Sequence, residues 1–246
     1  MSLPVHLVPT LAGVGVGGTV EVTGDEAHHA VTVRRLRVGE RVVLTDGAGT
    51  SVTGEVASTG KKVFTIGVTD LAYADRPAPS ITVVQAIPKG DRGELAVEVL
   101  TEIGVEAIVP WAAARCVAVW RGERAEKSLA KWRSTAREAA KQSRRSWFPT
   151  VAPLATTDAV AELLRGAEVS VVLHEAATTS LASVAIPESG SIVVVVGPEG
   201  GITDEELAAF AAAGATSVRL GTEVLRTSTA GLAATSALLA RTSRWA

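Results

Sequence analysis

The chain has 246 residues, 47% of them hydrophobic, with a mean hydropathy of +0.28, so a sizeable core is expected and global disorder is excluded. No apolar run approaches the ~20 residues that span a bilayer, and no Lys or Arg precedes Arg34, so neither a membrane span nor a secretory signal is expected and a cytoplasmic protein is. The net charge is only −2, and the single cysteine, Cys116, excludes internal disulfides and a cysteine cluster for zinc.

Residues 1–73 read as a β module. GTVEVTG, RVVLTDG, SVTGEVAS and KVFTIGVTD alternate with period two between Gly- and Asp-containing turns. A short helix over about 25–36, capped by Asp25, interrupts them. Its adjacent His28 and His29 point to different sides and share no metal easily. Residues 74–80, ADRPAPS, are the expected linker, because two prolines hold the chain extended. From residue 81 to 246 the pattern becomes strand–helix alternation. ITVVQAIP precedes a helix over about 91–103; AIVPW precedes a basic helix over about 123–145; VSVVLHE, IVVVVG and VRLG follow. Such alternation predicts an α/β domain with a mostly parallel sheet covered on both faces.

Charge is unevenly spread. Between Arg115 and Arg145 ten basic residues face three acidic ones, a local +7, which leaves −9 for the rest of the chain. At 100° per residue, Ala125, Leu129, Trp132, Ala136, Ala139 and Ala140 share about one third of the helix circumference, opposite most of the Lys and Arg. One face therefore packs, and the other presents a stripe suited either to phosphates or to plain solvation. Lys131, Arg137, Lys141, Gln142 and Arg144 are the candidate RNA contacts there. Lys89, after the strand ITVVQAIP, is either a substrate contact or a surface lysine. Arg34 and Arg35 are basic candidates in the N-terminal module.

The last quarter holds two strand-to-glycine-to-helix corners. Residues 192–196 form a buried strand that runs into GPEGG (197–201), and a helix follows from Thr203 with Glu206 placed for a capping box. A strand over 218–220 then turns at Gly221 into a small-residue helix from about Ser228. In α/β folds such corners share the ligand-binding edge of the sheet. Neither matches a P-loop or a G-x-G-x-x-G dinucleotide fingerprint, which disfavours a Rossmann-type oxidoreductase. Arg226, at the helix entrance, is the charged candidate. His174 and Glu175 end another strand at the same edge but lack metal-ligand spacing; no metal is expected.

GPEGG followed by LGTEVLRTSTAG resembles the SPOUT superfamily of RNA methyltransferases. With HHAVTVRRLRVGE, QAIPKGDRGELAVEVLTEIGV and EAAKQSRR, the chain is similar to the RsmE family of 16S ribosomal RNA uracil-N3 methyltransferases over nearly its whole length. The resemblance implies an N-terminal PUA-like RNA-binding β-barrel, a SPOUT α/β domain with a C-terminal trefoil knot, and a homodimer. It also implies transfer of a methyl group from S-adenosylmethionine to N3 of a uridine in the small ribosomal subunit, uridine 1498 being the family target. Carried onto this sequence, the cofactor-binding residues are His174, Gly197, Glu199, Gly200, Gly201, Leu220, Gly221, Val224, Leu225 and Thr227, and the catalytic residue is Arg226. Two positions depart from the family pattern: Glu223 replaces an arginine and Ser228 replaces a glutamate. The general base is therefore unassigned, and a non-catalytic RNA-binding or ribosome-assembly protein on the same scaffold is the alternative.

Overall fold

Period-two patterning shapes the strands of the N-terminal part, and the computed structural model, which describes residues 3–245, shows where they pair. Strands β1 (Val5–Leu7), β2 (Thr19–Thr23), β3 (Arg41–Thr45), β4 (Thr50–Gly60) and β5 (Val63–Tyr73) form one sheet in the order β1-β3-β4-β5-β2. All pairs are antiparallel except β1–β3. Val42, Leu44, Val52, Val56, Phe64 and Ile66 point inward and are essentially buried. The helix expected over 25–36 differs in detail. Helix α1 (Gly24–His28) starts after Thr23, not Asp25, and widens into a π-helical turn over His29–Val33, where Arg34 N–H donates to His29 O. These residues form one unit, with Arg76 as its last residue before the chain leaves; Lys141–Phe148 return to it.

The second unit comprises Pro77–Ala140 and the described residues from Pro149 onward. Its elements are β6 (Ser80–Ala86), α2 (Arg92–Ile103), β7 (Ala107–Trp111), α3 (Gly122–Gln142, whose last two residues belong to the first unit), β8 (Thr150–Val151), α4 (Thr157–Arg165), β9 (Val169–Leu173), β10 (Ser191–Val196), α5 (Asp204–Ala212), β11 (Thr216–Val218) and α6 (Thr227–Leu239). The sheet runs β11-β9-β10-β6-β7-β8 and every pair is parallel. A parallel interior strand is buried on both faces, which is why β10 is an unbroken apolar run. Ile192, Val194 and Val196 join α2, α3 and α6 in one core; Val193 and Val195 join α4 and α5 in the other. Each such side chain contributes roughly 1.5–3 kcal/mol on burial.

Two local features position the strand ends. Thr203 caps α5 and Glu206 closes the expected capping box; the Glu206 carboxylate also accepts from Ala114 N–H at 2.8 Å. On α6, a Cβ at Gly231 would lie 3.2 Å from Leu100 and 3.4 Å from both Val83 and Val196. A glycine here lets this helix approach α2, β6 and β10 without crowding those side chains. The strand expected over 218–220 lies at Thr216–Val218. Pairing stops at Val218↔Leu173, and Arg219 N–H turns instead to Thr179 O. Among the described residues no helix is long and apolar enough to cross a membrane.

Candidate active site

Strands β10, β9 and β11 end side by side, and the loops leaving them enclose a cavity of about 350 Å3. Both glycine corners open onto it. From the first come Gly197, Glu199 and Gly201; from the second come Leu220, Gly221, Val224, Leu225 and Arg226; His174 and Glu175 fill the gap between them at the end of β9. Thr227 and Ala230, on the first turn of α6, form part of the wall. The position follows the general rule that ligands bind beyond the carboxyl ends of parallel strands.

Backbone geometry suits a ligand held by main-chain groups. Gly201 and Gly221 have φ of +77° and +76°, a region that residues with a Cβ rarely adopt. Arg219 N–H bonds Thr179 O, but the N–H groups of Leu220, Gly221, Val224 and Leu225 have no hydrogen-bond partner among the described residues. Arg226 is the residue from which α6 departs, with extended backbone (φ −68°, ψ 146°), and its carbonyl accepts from Thr229 and Ala230 N–H at 2.9 Å each. Its side chain is exposed at the cavity wall.

Of the residues singled out from the sequence, Gly200 is placed differently. A Cβ on it would meet Arg115 Cβ and O at 2.9 Å each, so this glycine serves contact with the 113–116 turn, while its neighbours line the cavity. Lys89 is exposed, and its main-chain N–H donates to Glu199 Oε1 at 3.2 Å, which ties the β6–α2 loop to the first corner. Lys131 is 61% exposed and pairs with Glu94 at 2.9 Å; Arg137 touches Glu138 and the Ser134 hydroxyl. Arg34, Arg35, Gln142 and Arg144 are exposed in the first unit. Lys141 is not on the open stripe: only 10% of its side chain is exposed, and its ammonium bonds both Glu26 oxygens at 3.2 and 3.1 Å. Burial of the end of α3 takes this charge away from any phosphate.

Sequence reading missed Arg92 and Arg219, which also line the cavity. Arg92 opens α2 after the turn at Gly90 (φ +67°), a third strand-to-glycine-to-helix corner whose signal was present in IPKGDR. It also missed Gln85, fully buried at the end of β6, whose amide nitrogen donates to Ala86 O and to Thr227 O at the start of α6. Three guanidinium groups, Arg92, Arg219 and Arg226, and three carboxylates, Glu175, Glu199 and Glu223, thus surround the cavity. Glu223 is held below the usual carboxylate range by hydrogen bonds from the Thr222 hydroxyl and from its own and Thr222 main-chain N–H groups, so it stays ionised and is a poor proton acceptor. Burial pushes the Cys116 thiol up, which keeps it protonated and unreactive at neutral pH. No group of three or more metal-ligating side chains occurs among the described residues.

Residues 75–239 match a family model described as an RNA methyltransferase domain, and residues 22–68 match one described as an RNA methyltransferase PUA domain. A curated ribosomal RNA small subunit methyltransferase E from Mycobacterium bovis is 46% identical over 93% of this chain and 89% of its own; one from Bacillus subtilis is 30% identical over 89% of each. The crystal structure of the enzyme of that name from Neisseria gonorrhoeae, bound to S-adenosyl methionine, superposes with a TM-score of 0.86 at 32% identity, covering 97% of this chain and 98% of that one. The Legionella pneumophila methyltransferase structure with bound SAM gives 0.88 at 26%, covering 98% and 99%. On this evidence the chain belongs to the ribosomal RNA small subunit methyltransferase E family of RNA methyltransferases.

Proposed function

We propose that this chain methylates N3 of a uridine in 16S ribosomal RNA, with S-adenosylmethionine as donor, uridine 1498 being the target its family suggests. One observation carries the reading: both glycine corners and Arg226 open onto one cavity. The donor combines a sulfonium, an ammonium, a carboxylate and an adenosine. The residues present fit it, since carboxylates and guanidinium groups supply both signs of charge, unpaired main-chain N–H groups supply donors, and about 350 Å3 lies within the range of small-ligand pockets. Leu220, Gly221, Val224 and Leu225 hold it through main-chain atoms; His174, Gly197, Glu199, Gly201 and Thr227 complete the walls, and Gly200 keeps the first corner seated on Arg115.

Bound there, the donor supplies an electrophilic methyl group. Uracil N3 gives its proton to solvent, so negative charge grows on N3, O2 and O4, and that charge would be consumed as the N3–methyl bond forms and the donor's sulfur–methyl bond breaks, leaving S-adenosylhomocysteine. The Arg226 guanidinium donates hydrogen bonds to that charge and stabilises it; the rest of the catalysis is positioning. RNA phosphates are held by Arg34, Arg35, Lys89, Lys131, Arg137 and Arg144, with Gln142 adding a polar contact, while Lys141 serves the fold. We further infer closure of the first sheet into a PUA-like barrel that binds RNA, a trefoil knot at the C-terminus and a homodimer as the working form, each carried from the family resemblance. The test is Arg226→Ala. Methylation of small-subunit RNA is lost while calorimetric binding of S-adenosylmethionine persists; near-normal turnover removes Arg226 from the reaction.

A further inference from the structure

The first unit contains a second cavity, of about 270 Å3, unconnected in sequence with the glycine corners. Its floor is the outer face of the sheet edge. Val5 pairs with Val43 across β1–β3, and Thr45 with Ser51 across β3–β4. Successive strand residues point to opposite faces, and Val42, Leu44 and Val52 are the buried inner set. Val5, Val43 and Ser51 therefore project outward, half-buried. Arg144 and Ser146 form the wall above them.

That wall is fixed in place. Gly49 N–H donates to Ser146 O at 2.9 Å, Phe148 N–H to Gly47 O at 2.9 Å, and Trp147 Nε1–H to Ala74 O at 2.9 Å. The buried Lys141–Glu26 pair anchors the segment from its other side. A ligand entering here meets a preformed surface, which keeps the ordering cost low.

Arg144 is unusual in two respects. Its φ is +55°, a left-handed conformation that costs a residue with a Cβ about 1–2 kcal/mol and that glycine adopts freely. Its side chain is exposed and makes no hydrogen bond or ion pair among the described residues. An unpaired guanidinium thus stands, in a backbone geometry better suited to glycine, over two outward valines and beside the Ser51 and Ser146 hydroxyls. Cation, hydroxyls and an apolar floor together match one ribonucleotide: phosphate on the guanidinium, sugar on the hydroxyls, ring face on the valines. We propose that this cavity is a subsite for one non-target nucleotide of the substrate RNA, a reading that rests on the RNA methyltransferase function proposed above.

The test is Arg144→Gly, which removes the charge at a position where glycine relieves the backbone. Binding of a small-subunit RNA fragment, measured by fluorescence anisotropy across a salt series, weakens about tenfold, as expected for one charge-assisted contact. The slope of log K against log salt falls by about 0.7, the value for one single-strand phosphate. KM for RNA rises in step, the affinity for S-adenosylmethionine is the same, and the unfolding midpoint does not drop. Should Arg144→Gly fold poorly, Ser51→Asp keeps Arg144 and sets a carboxylate against the phosphate, with the same expected loss. Wild-type affinity and slope in both variants overturn the subsite. Binding of free uridine monophosphate that is lost in Arg144→Gly while RNA binding is kept assigns the cavity to a free nucleotide and also overturns it. A wild-type protein that binds neither RNA nor S-adenosylmethionine instead overturns the methyltransferase reading itself.

Discussion

Replacing Glu26 with glutamine tests its charge pair with Lys141 inside the first unit. Burial pushes the Glu26 carboxyl up, but the hydrogen bond from His6 Nδ1 (3.1 Å) and the adjacent Lys141 ammonium outweigh it and hold it at about 2 against an ordinary 4.5. Its side chain is 18% exposed, so solvent screens the pair little. A carboxyl held that far down contributes about 3 kcal/mol to stability. Because the folded value is the lower one, this contribution is complete above pH 4.5 and is lost as pH falls from there toward 2. Glutamine has no such titration and removes the negative charge beside the Lys141 ammonium, a cost of about 3 kcal/mol at neutral pH. Urea unfolding followed by circular dichroism at pH 6, 4 and 2.5 gives the difference between the two proteins. It is largest at pH 6 and shrinks across the acid range, since protonated Glu26 and glutamine are alike in charge. A difference that stays constant from pH 6 to 2.5 refutes the reasoning and assigns Lys141 to solvent.

Two further outcomes follow from contacts in the second unit. Gln85→Leu removes the donor to Thr227 O together with Oε1, which is buried with no partner, so the two effects offset and urea unfolding shows a change within about 1 kcal/mol; a larger loss means that Oε1 is satisfied in solution. Neutralising Lys131 and Arg137 together with glutamine weakens RNA binding and lowers the salt slope by about 1.4, two phosphates' worth, in the anisotropy series. An unchanged slope takes α3 off the RNA surface.

Much of the catalytic unit was legible because its physics is local. An unbroken run such as residues 192–196 reads as an interior parallel strand, Thr203 with Glu206 reads as a capped helix start, and glycine corners after strands read as a ligand edge. Strand order is not local. The corners after β10 and β11 are consecutive in sequence, yet β9 lies between them in the sheet, which is how His174 and Glu175 reach the same cavity. Arg92 and Arg219 were missed for a related reason: IPKGDR and VRLG mark a corner, but neither says that its arginine will face the cavity. Gly200 shows that a glycine in a binding-loop motif can be required by a neighbouring turn, here at Arg115, as well as by a ligand. In the first unit the return of residues 141–148 had no sequence signal, because it depends on Lys141 finding Glu26 far upstream.

The same return changes what the charge count means. Summed along residues 115–145, the sequence carries +7, but the cations differ in how far they are committed. Lys141 is buried in a pair with Glu26 and cannot leave it cheaply. Arg133 donates to Val151 O at the end of β8 and Arg115 to Gly200 O in the first glycine corner, both contacts within the fold. Lys127, Lys131 and Arg137 pair with Glu123, Glu94 and Glu138 on exposed surfaces. Exposed pairs contribute little to stability, about 0–1 kcal/mol, and a phosphate outcompetes such carboxylates at small cost. In the proposed function, the second unit therefore offers RNA these exchangeable side chains together with Arg121 and Arg124, and the first unit offers Arg144; these three make no ion pair among the described residues. In the proposed function a uniform stripe would track any polyanion, whereas a stripe broken by committed cations would favour strands whose phosphates fall at the remaining positions.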